Sequence, residues 1–222
     1  MSSAALEQHG PFTVTPTDHR GIALIVTTLL MTWSILCYLI RIYVRLSSLT
    51  NITGIDDLLC LAATVLCVIG TIVAGLSISD GFGKASSLLS NTQIAAIEKT
   101  AYAVDLLSIF TIFLTKASMI FFHIRITPRK DQQMVSYGLL GVVIACCTAA
   151  MAIEGARCHA NVPWASLTRA CSDYTAGWIA IIIMDIVTEL LLLAMPAWIL
   201  FDLQMARRTK IIILSAFALR VP

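Results

Sequence analysis

The sequence predicts an all-α fold: a polytopic transmembrane helix bundle with five full spans and a partial sixth. Of its 222 residues, 58% are hydrophobic and only 13% are charged. That charged fraction is about half the roughly 25% usual in soluble domains. The apolar residues form long unbroken runs, whereas the strands of an outer-membrane barrel alternate apolar and polar residues. Composition and pattern together exclude a soluble globular protein, a disordered chain and a β-barrel.

Five apolar runs are long enough to cross a hydrocarbon core, which requires roughly 20 helical residues. The predicted spans are residues 21–43, 57–79, 101–126, 134–155 and 174–201. A sixth run covers 211–222, but its charge-free part, Ile211 to Leu219, is too short to cross at about 1.5 Å per residue. We therefore expect an extracellular tail over 1–20, one transmembrane domain over 21–222, and a chain truncated at its C-terminus.

The distribution of lysine and arginine predicts the orientation of the bundle. The connections after the first, third and fifth spans carry eight of these residues, and the tail and the other two connections carry five. Because cytoplasmic loops are enriched in them, we expect the N-terminus outside, in the plasma membrane or the endoplasmic reticulum. The formal net charge is only +2 and the basic residues are spread among loops, which excludes a nucleic-acid partner and leaves the lipid bilayer.

Four ionisable residues fall inside the predicted spans: Asp105, Lys116, Asp185 and Glu189. An Asp, Lys or Arg at the centre of a span costs about 2.5–3.5 kcal/mol on insertion scales, so such residues usually face the bundle interior and pair. Depth along the helices predicts that Lys116 pairs with Glu189. Asp105 and Asp185 then line the outer half of the same polar seam.

This polar seam has two interpretations that the sequence leaves open. It is either a functional site, such as a ligand pocket, a proton relay or an acid site, or a structural ion pair that fixes helix packing. If the protein is an enzyme, its candidate catalytic acids are Asp105, Asp185 and Glu189. We consider an enzyme the weaker hypothesis, because no soluble-enzyme motif is present.

Two of the seven cysteines, Cys158 and Cys171, lie in the loop after the fourth span, which the charge distribution places outside. The lumen of the secretory pathway is oxidising, so we expect a disulfide between them. No histidine or cysteine set has metal-site spacing, so we expect no metal and no cofactor. Asn51-Ile52-Thr53 fits the N-glycosylation pattern, but the predicted topology places it in the cytoplasm, where it stays unmodified.

Several short motifs occur in a consistent order along the chain. They are Asp56-Asp57 at the start of the second span, Gly81-Phe82-Gly83-Lys84 after it, the run from Lys116 and Ser118 to Arg125 in the third span, and Asp185, Pro196, Arg208 and Lys210 in and after the fifth. In these residues the sequence resembles the fungal rhodopsin-like-domain integral membrane proteins. That seven-helix family includes receptor-like proteins and a member of the satratoxin gene cluster. Cys158 and Cys171 fit the extracellular cysteine pair of the family.

The resemblance implies a receptor-like or sensory protein that binds an unknown small-molecule ligand. It does not imply retinal, because retinal proteins hold the chromophore on a lysine of a seventh helix and no seventh span is predicted here. G-protein coupling would rest on analogy of fold alone. The alternative hypothesis is a membrane component of a secondary-metabolite biosynthetic cluster, including a cyclase whose intramembrane acids protonate an apolar substrate. A transporter is less well supported, since no paired broken helices are evident.

Overall fold

The computed structural model describes residues 19–47, 54–84, 90–127, 129–156 and 174–202. Within these ranges the chain forms five α-helices and no strands. The helices are α1 (Arg20–Ser47), α2 (Ile55–Asp80), α3 (Asn91–Ile126), α4 (Lys130–Gly155) and α5 (Tyr174–Asp202). Each is long and apolar enough to cross a membrane, which confirms the all-α, multi-pass membrane fold. The predicted partial sixth span and nearly all of the predicted tail lie outside the described residues.

Helix α3 begins ten residues before the span that the apolar pattern predicts. Its first residues are polar, so hydropathy does not detect them, but they form a helix because Ser90 and Gln93 make a capping box. The Ser90 side chain accepts a hydrogen bond from the Gln93 amide at 3.4 Å, and the Gln93 side chain accepts one from the Ser90 amide at 3.0 Å. At about 1.5 Å per residue, α3 is therefore longer than the hydrocarbon core is thick.

Helix α3 is also the centre of the bundle, where it contacts α2, α4 and α5, while α1 packs on α2 and α5 packs on α4. The buried core consists of apolar side chains from α3, α4 and α5, including Phe113, Ile120, Val143 and Leu192. Helix α1 buries almost nothing in the protein, and Trp33 is 68% exposed. In a multi-pass membrane protein, such apolar side chains face the lipid.

The glycine-rich element after α2 fixes the start of α1. Gly81 ends α2 with a φ of 117°, and the Phe82 amide donates to the Ser77 carbonyl at 3.0 Å, as in a Schellman cap. Gly83 has a φ of 98°, and its carbonyl accepts a hydrogen bond from the His19 amide at 3.1 Å. A Cβ at Gly83 would lie 3.3 Å from the Arg20 backbone nitrogen. Both backbone conformation and close approach therefore require glycine at position 83.

We expect Gly83→Ala to lower the free energy of unfolding by about 1–2 kcal/mol, because alanine is strained at positive φ and its Cβ presses on the start of α1. Thermal unfolding of the purified protein in detergent measures this. The matched control is Gly75→Ala, since a Cβ at Gly75 meets nothing within 4 Å. A melting temperature equal to that of the control would contradict the proposed role of Gly83.

Candidate functional site

Lys116 is buried between α3 and α5, with 5% of its side chain exposed. Its ammonium group donates three hydrogen bonds: to Asp185 Oδ1 at 2.6 Å, to the Asp185 carbonyl at 2.8 Å and to Thr188 Oγ1 at 2.7 Å. An ammonium group has three N–H donors, so all of them are satisfied. The Glu189 Oε2 atom lies 3.5 Å from the same nitrogen. We call these four residues the Lys116 cluster.

The arrangement differs in one respect from the predicted seam. The predicted contact between Lys116 and Glu189 is present, but Asp185 is closer and makes the hydrogen bond. Asp185 therefore takes the place of Glu189 as the main partner of Lys116, and its position in the outer half of the seam stays a prediction. Depth counted along two sequences ignores helix tilt, and one turn amounts to about 5.4 Å, which is enough to exchange residues four apart.

The Lys116 cluster carries unbalanced charge, with one ammonium group and two carboxylates. Asp185 accepts a short hydrogen bond, whereas the Glu189 carboxylate accepts none from the part of the chain that the structure describes. Asp105 lies eleven residues before Lys116 on α3, about 16 Å away along the axis, so it does not reach the cluster. Its membership of the seam stays a prediction.

A second polar cluster lies at the end of the bundle where α1 and α3 end and α2 begins. Asp56 is its centre, with 2% of its side chain exposed. Arg41 Nη2 lies 3.1 Å from Asp56 Oδ2, and Arg125 Nη1 lies 3.4 Å from Asp56 Oδ1. Arg41 Nε also lies 3.3 Å from Asp57 Oδ1. The Ser118 hydroxyl donates to the Asp56 carbonyl at 2.7 Å, so α1, α2 and α3 all meet here. We call these five residues the Asp56 cluster.

The structure thus brings together four residues that the sequence motifs singled out: Asp56, Asp57, Ser118 and Arg125. Sequence reasoning missed Arg41, which it counted only as a topology charge. The signal was available, because antiparallel neighbours joined by a short connection place the end of one helix opposite the start of the next. The guanidinium group of Arg41 also lies 5.8 Å from the centre of the Phe122 ring, at cation–π distance.

The absence of a side chain at Gly54 leaves space for the Asp56 cluster. It precedes α2 with an extended backbone, so its conformation does not itself require glycine. Space does, since a Cβ at this position would collide with Asp56 Oδ1 and lie 2.8 Å from Arg125 Nη1. The ion pair between Asp56 of α2 and Arg125 of α3 therefore packs directly against the backbone of Gly54.

Helix α3 belongs to both clusters. Lys116 and Ser118 are two residues apart, which rotates them by about 200° around a helix. One side chain consequently faces α5 and the other faces α2. A single stretch of α3 therefore holds polar contacts on opposite sides.

The remaining predicted residues divide into two groups. Pro196 is buried within α5, and Gly81, Gly83 and Lys84 form the turn after α2. Cys158, Cys171, Arg208, Lys210 and Asn51 lie outside the described residues, so the disulfide stays a prediction. Among the residues described, no group of three His, Cys, Asp or Glu side chains could hold a metal ion.

Comparison with known proteins assigns a family. Residues 40–221, more than four-fifths of the chain, match the model of the fungal rhodopsin domain. The chain belongs to the fungal rhodopsin domain family. No curated protein and no solved structure matches the chain. The matched range contains every residue of the Lys116 and Asp56 clusters.

We expect Lys116→Met to lower the free energy of unfolding by about 3 kcal/mol, because it leaves two carboxylates near mid-span without their cation. Adding Asp185→Asn should recover more stability than adding Glu189→Gln, since Asp185 is the closer partner. Thermal unfolding of the single and double variants in detergent measures the difference. Equal recovery in both double variants would contradict the assignment of Asp185 as the main partner.

For the Asp56 cluster, Asp56→Asn should cost about 3 kcal/mol, because it removes the charge that holds two guanidinium groups in a buried site. The neighbouring change Asp57→Asn is its matched control. Asp57 pairs with Arg41 but is 23% exposed, where solvent screens the pair, so we expect a loss of about 0.5–1 kcal/mol. Chemical denaturation of both variants under the same conditions measures these losses in the free energy of unfolding. Equal losses would refute the central role of Asp56.

Proposed function

We propose that this member of the fungal rhodopsin domain family is a receptor-like sensory membrane protein that works without retinal. One observation carries the proposal: on α3, Lys116 is held by α5 and Ser118 is held by α2 within two residues. A ligand that shifts α5 relative to α3 therefore also alters the contacts between α3 and α2 in the Asp56 cluster. The helix supplies the rigid connection between the two.

The charge of the Lys116 cluster supports its role as the responsive element. Ionisable groups inside a span are costly and are usually retained for function. Two carboxylates and one ammonium group leave one negative charge in excess, which a cationic or hydrogen-bond-donating group of a ligand can compensate. Such a ligand interacts differently with two arrangements of α3 and α5, which is what a population shift requires.

The Asp56 cluster supports the output role. Its two aspartates and two arginines balance in charge, and they tie together the ends of three helices. With the N-terminus outside, as the charge distribution predicts, this end of the bundle faces the cytoplasm. A change there would be accessible to an intracellular partner. Coupling to a G protein is not part of the proposal.

A role in a secondary-metabolite pathway is the second candidate, and one observation favours it. The Glu189 carboxylate accepts no hydrogen bond within the described chain, so it is the group best placed to carry a proton to an apolar substrate. Asp185 is less suited to that task, because Lys116 holds it as a hydrogen-bond acceptor.

Deletion of the gene in the source organism distinguishes the two candidates. The strain is complemented with the intact gene, with Glu189→Gln, and with Leu190→Ile, a control on the lipid-exposed face of α5. For a receptor-like protein we expect altered growth or surface sensing and unchanged metabolites. The intact gene and Leu190→Ile should restore sensing, and Glu189→Gln should not. Immunoblots of membranes confirm equal amounts of each protein.

Two outcomes would contradict the receptor-like proposal. In the first, one compound disappears and a precursor accumulates in the deletion strain, which supports the pathway role with Glu189 as its acid. In the second, Glu189→Gln restores sensing as fully as the intact gene, which removes the Lys116 cluster from the mechanism.

A further inference from the structure

A cavity of about 330 Å³ lies between α1, α2 and α3. It is separate from both polar clusters, because none of their residues lines it. Ligand pockets typically measure about 300–1,000 Å³ and are mainly apolar with a few polar groups. The cavity is at the lower end of that range, which suits a slender molecule.

The sequence of α2 explains why the space exists. Cys67, Gly70 and Ala74 follow one another at spacings of three and four residues, so they share one face of the helix. Their side chains are small, and α3 and α1 approach this face without filling it. All three helices are membrane spans, so the cavity is within reach of molecules dissolved in the bilayer.

The polar atoms of the lining specify what it can bind. The hydroxyls of Thr27, Thr71 and Thr111 donate to carbonyls of their own helices, at 2.8, 2.8 and 2.7 Å. They retain lone pairs and can accept, but they have no proton to offer. The Ser108 hydroxyl makes no hydrogen bond within the described part of the chain, so it is the hydroxyl of the lining that has a proton to donate.

We infer that this cavity binds a lipid-soluble alcohol. A hydroxyl group accepts from Ser108 and donates to Thr111 Oγ1, which lies on the same face of α3 three residues later. The chain of the alcohol fills the apolar remainder between Leu30 of α1 and Gly70 of α2. An alkane forms a hydrogen bond with neither Ser108 nor Thr111, and a ketone can only accept one from Ser108. The inference goes beyond the proposed function, since binding is a property of the protein whether or not it signals.

Photolabelling of the full-length protein in detergent tests the inference. The probe is a dodecanol analogue that carries a diazirine on its chain, and the labelled peptides are located by mass spectrometry. We expect label on the parts of α2 and α3 that line the cavity. Unlabelled dodecanol should compete at least about fivefold better than dodecane, because only the alcohol makes the two hydrogen bonds.

Three variants give the comparison its controls. A Cβ at Gly70 lies 3.9 Å from Leu107 Cβ, an ordinary contact, so Gly70→Leu fits the helix and fills the cavity. Gly75→Leu adds the same side chain on the same helix where nothing lies within 4 Å. We expect Gly70→Leu to lose most of the labelling and Gly75→Leu to keep it. Ser108→Ala should weaken competition by dodecanol about three- to tenfold and leave that by dodecane unchanged.

The inference is overturned if dodecane competes as well as dodecanol, or if Gly70→Leu is labelled like Gly75→Leu. Should Gly70→Leu melt well below Gly75→Leu, the result for Ser108→Ala decides, because removal of one exposed hydroxyl leaves the packing intact. Failure here does not bear on the deletion strain, whose phenotype is measured independently of dodecanol binding.

Discussion

The ammonium group of Lys116 is the constraint on which the helix arrangement depends. Inside a membrane-spanning bundle it needs three hydrogen-bond acceptors, and α5 supplies all of them from Asp185 and Thr188. That requirement fixes the height of α5 against α3 and the rotation of α3 about its own axis. Once Lys116 faces α5, the helical repeat turns Ser118 and Arg125 towards α2, where Asp56 receives both.

The two clusters differ in charge balance and in exposure. The Asp56 cluster has equal numbers of positive and negative groups, and Asp56 is almost wholly buried, so its state changes little without breaking helix contacts. The Lys116 cluster has a surplus carboxylate that remains one-fifth exposed. The Asp56 cluster holds the ends of three helices together. In the Lys116 cluster the Glu189 carboxylate can still accept a hydrogen bond from a donor elsewhere, and this asymmetry underlies the proposed direction of signalling from α5 to α2.

Much of the fold follows from the sequence, because membrane spans depend on length and hydropathy, which are local properties. The capped start of α3 escaped that reasoning, since Ser90 and Gln93 act through hydrogen bonds and not through hydropathy. The site was predicted in part. Charges within spans identified Lys116 and its acidic neighbours, but their register depends on helix tilt, which no local pattern gives. Arg41 was missed because a charge at the end of a span serves topology and pairing alike, and the cavity was missed because it exists only between packed helices.

The salt bridges between Arg41 and the two aspartates have a consequence for biosynthesis. The two helices they join, α1 and α2, precede α3 in the chain, so both are synthesised before it and their ion pairs do not depend on it. This helical hairpin can therefore enter the bilayer with Asp56 and Asp57 both paired to Arg41, which compensates one of their two negative charges. Arg125 arrives only when α3 is complete, and it binds the oxygen of Asp56 that Arg41 leaves open. The order of translation thus matches the order in which the cluster can be assembled.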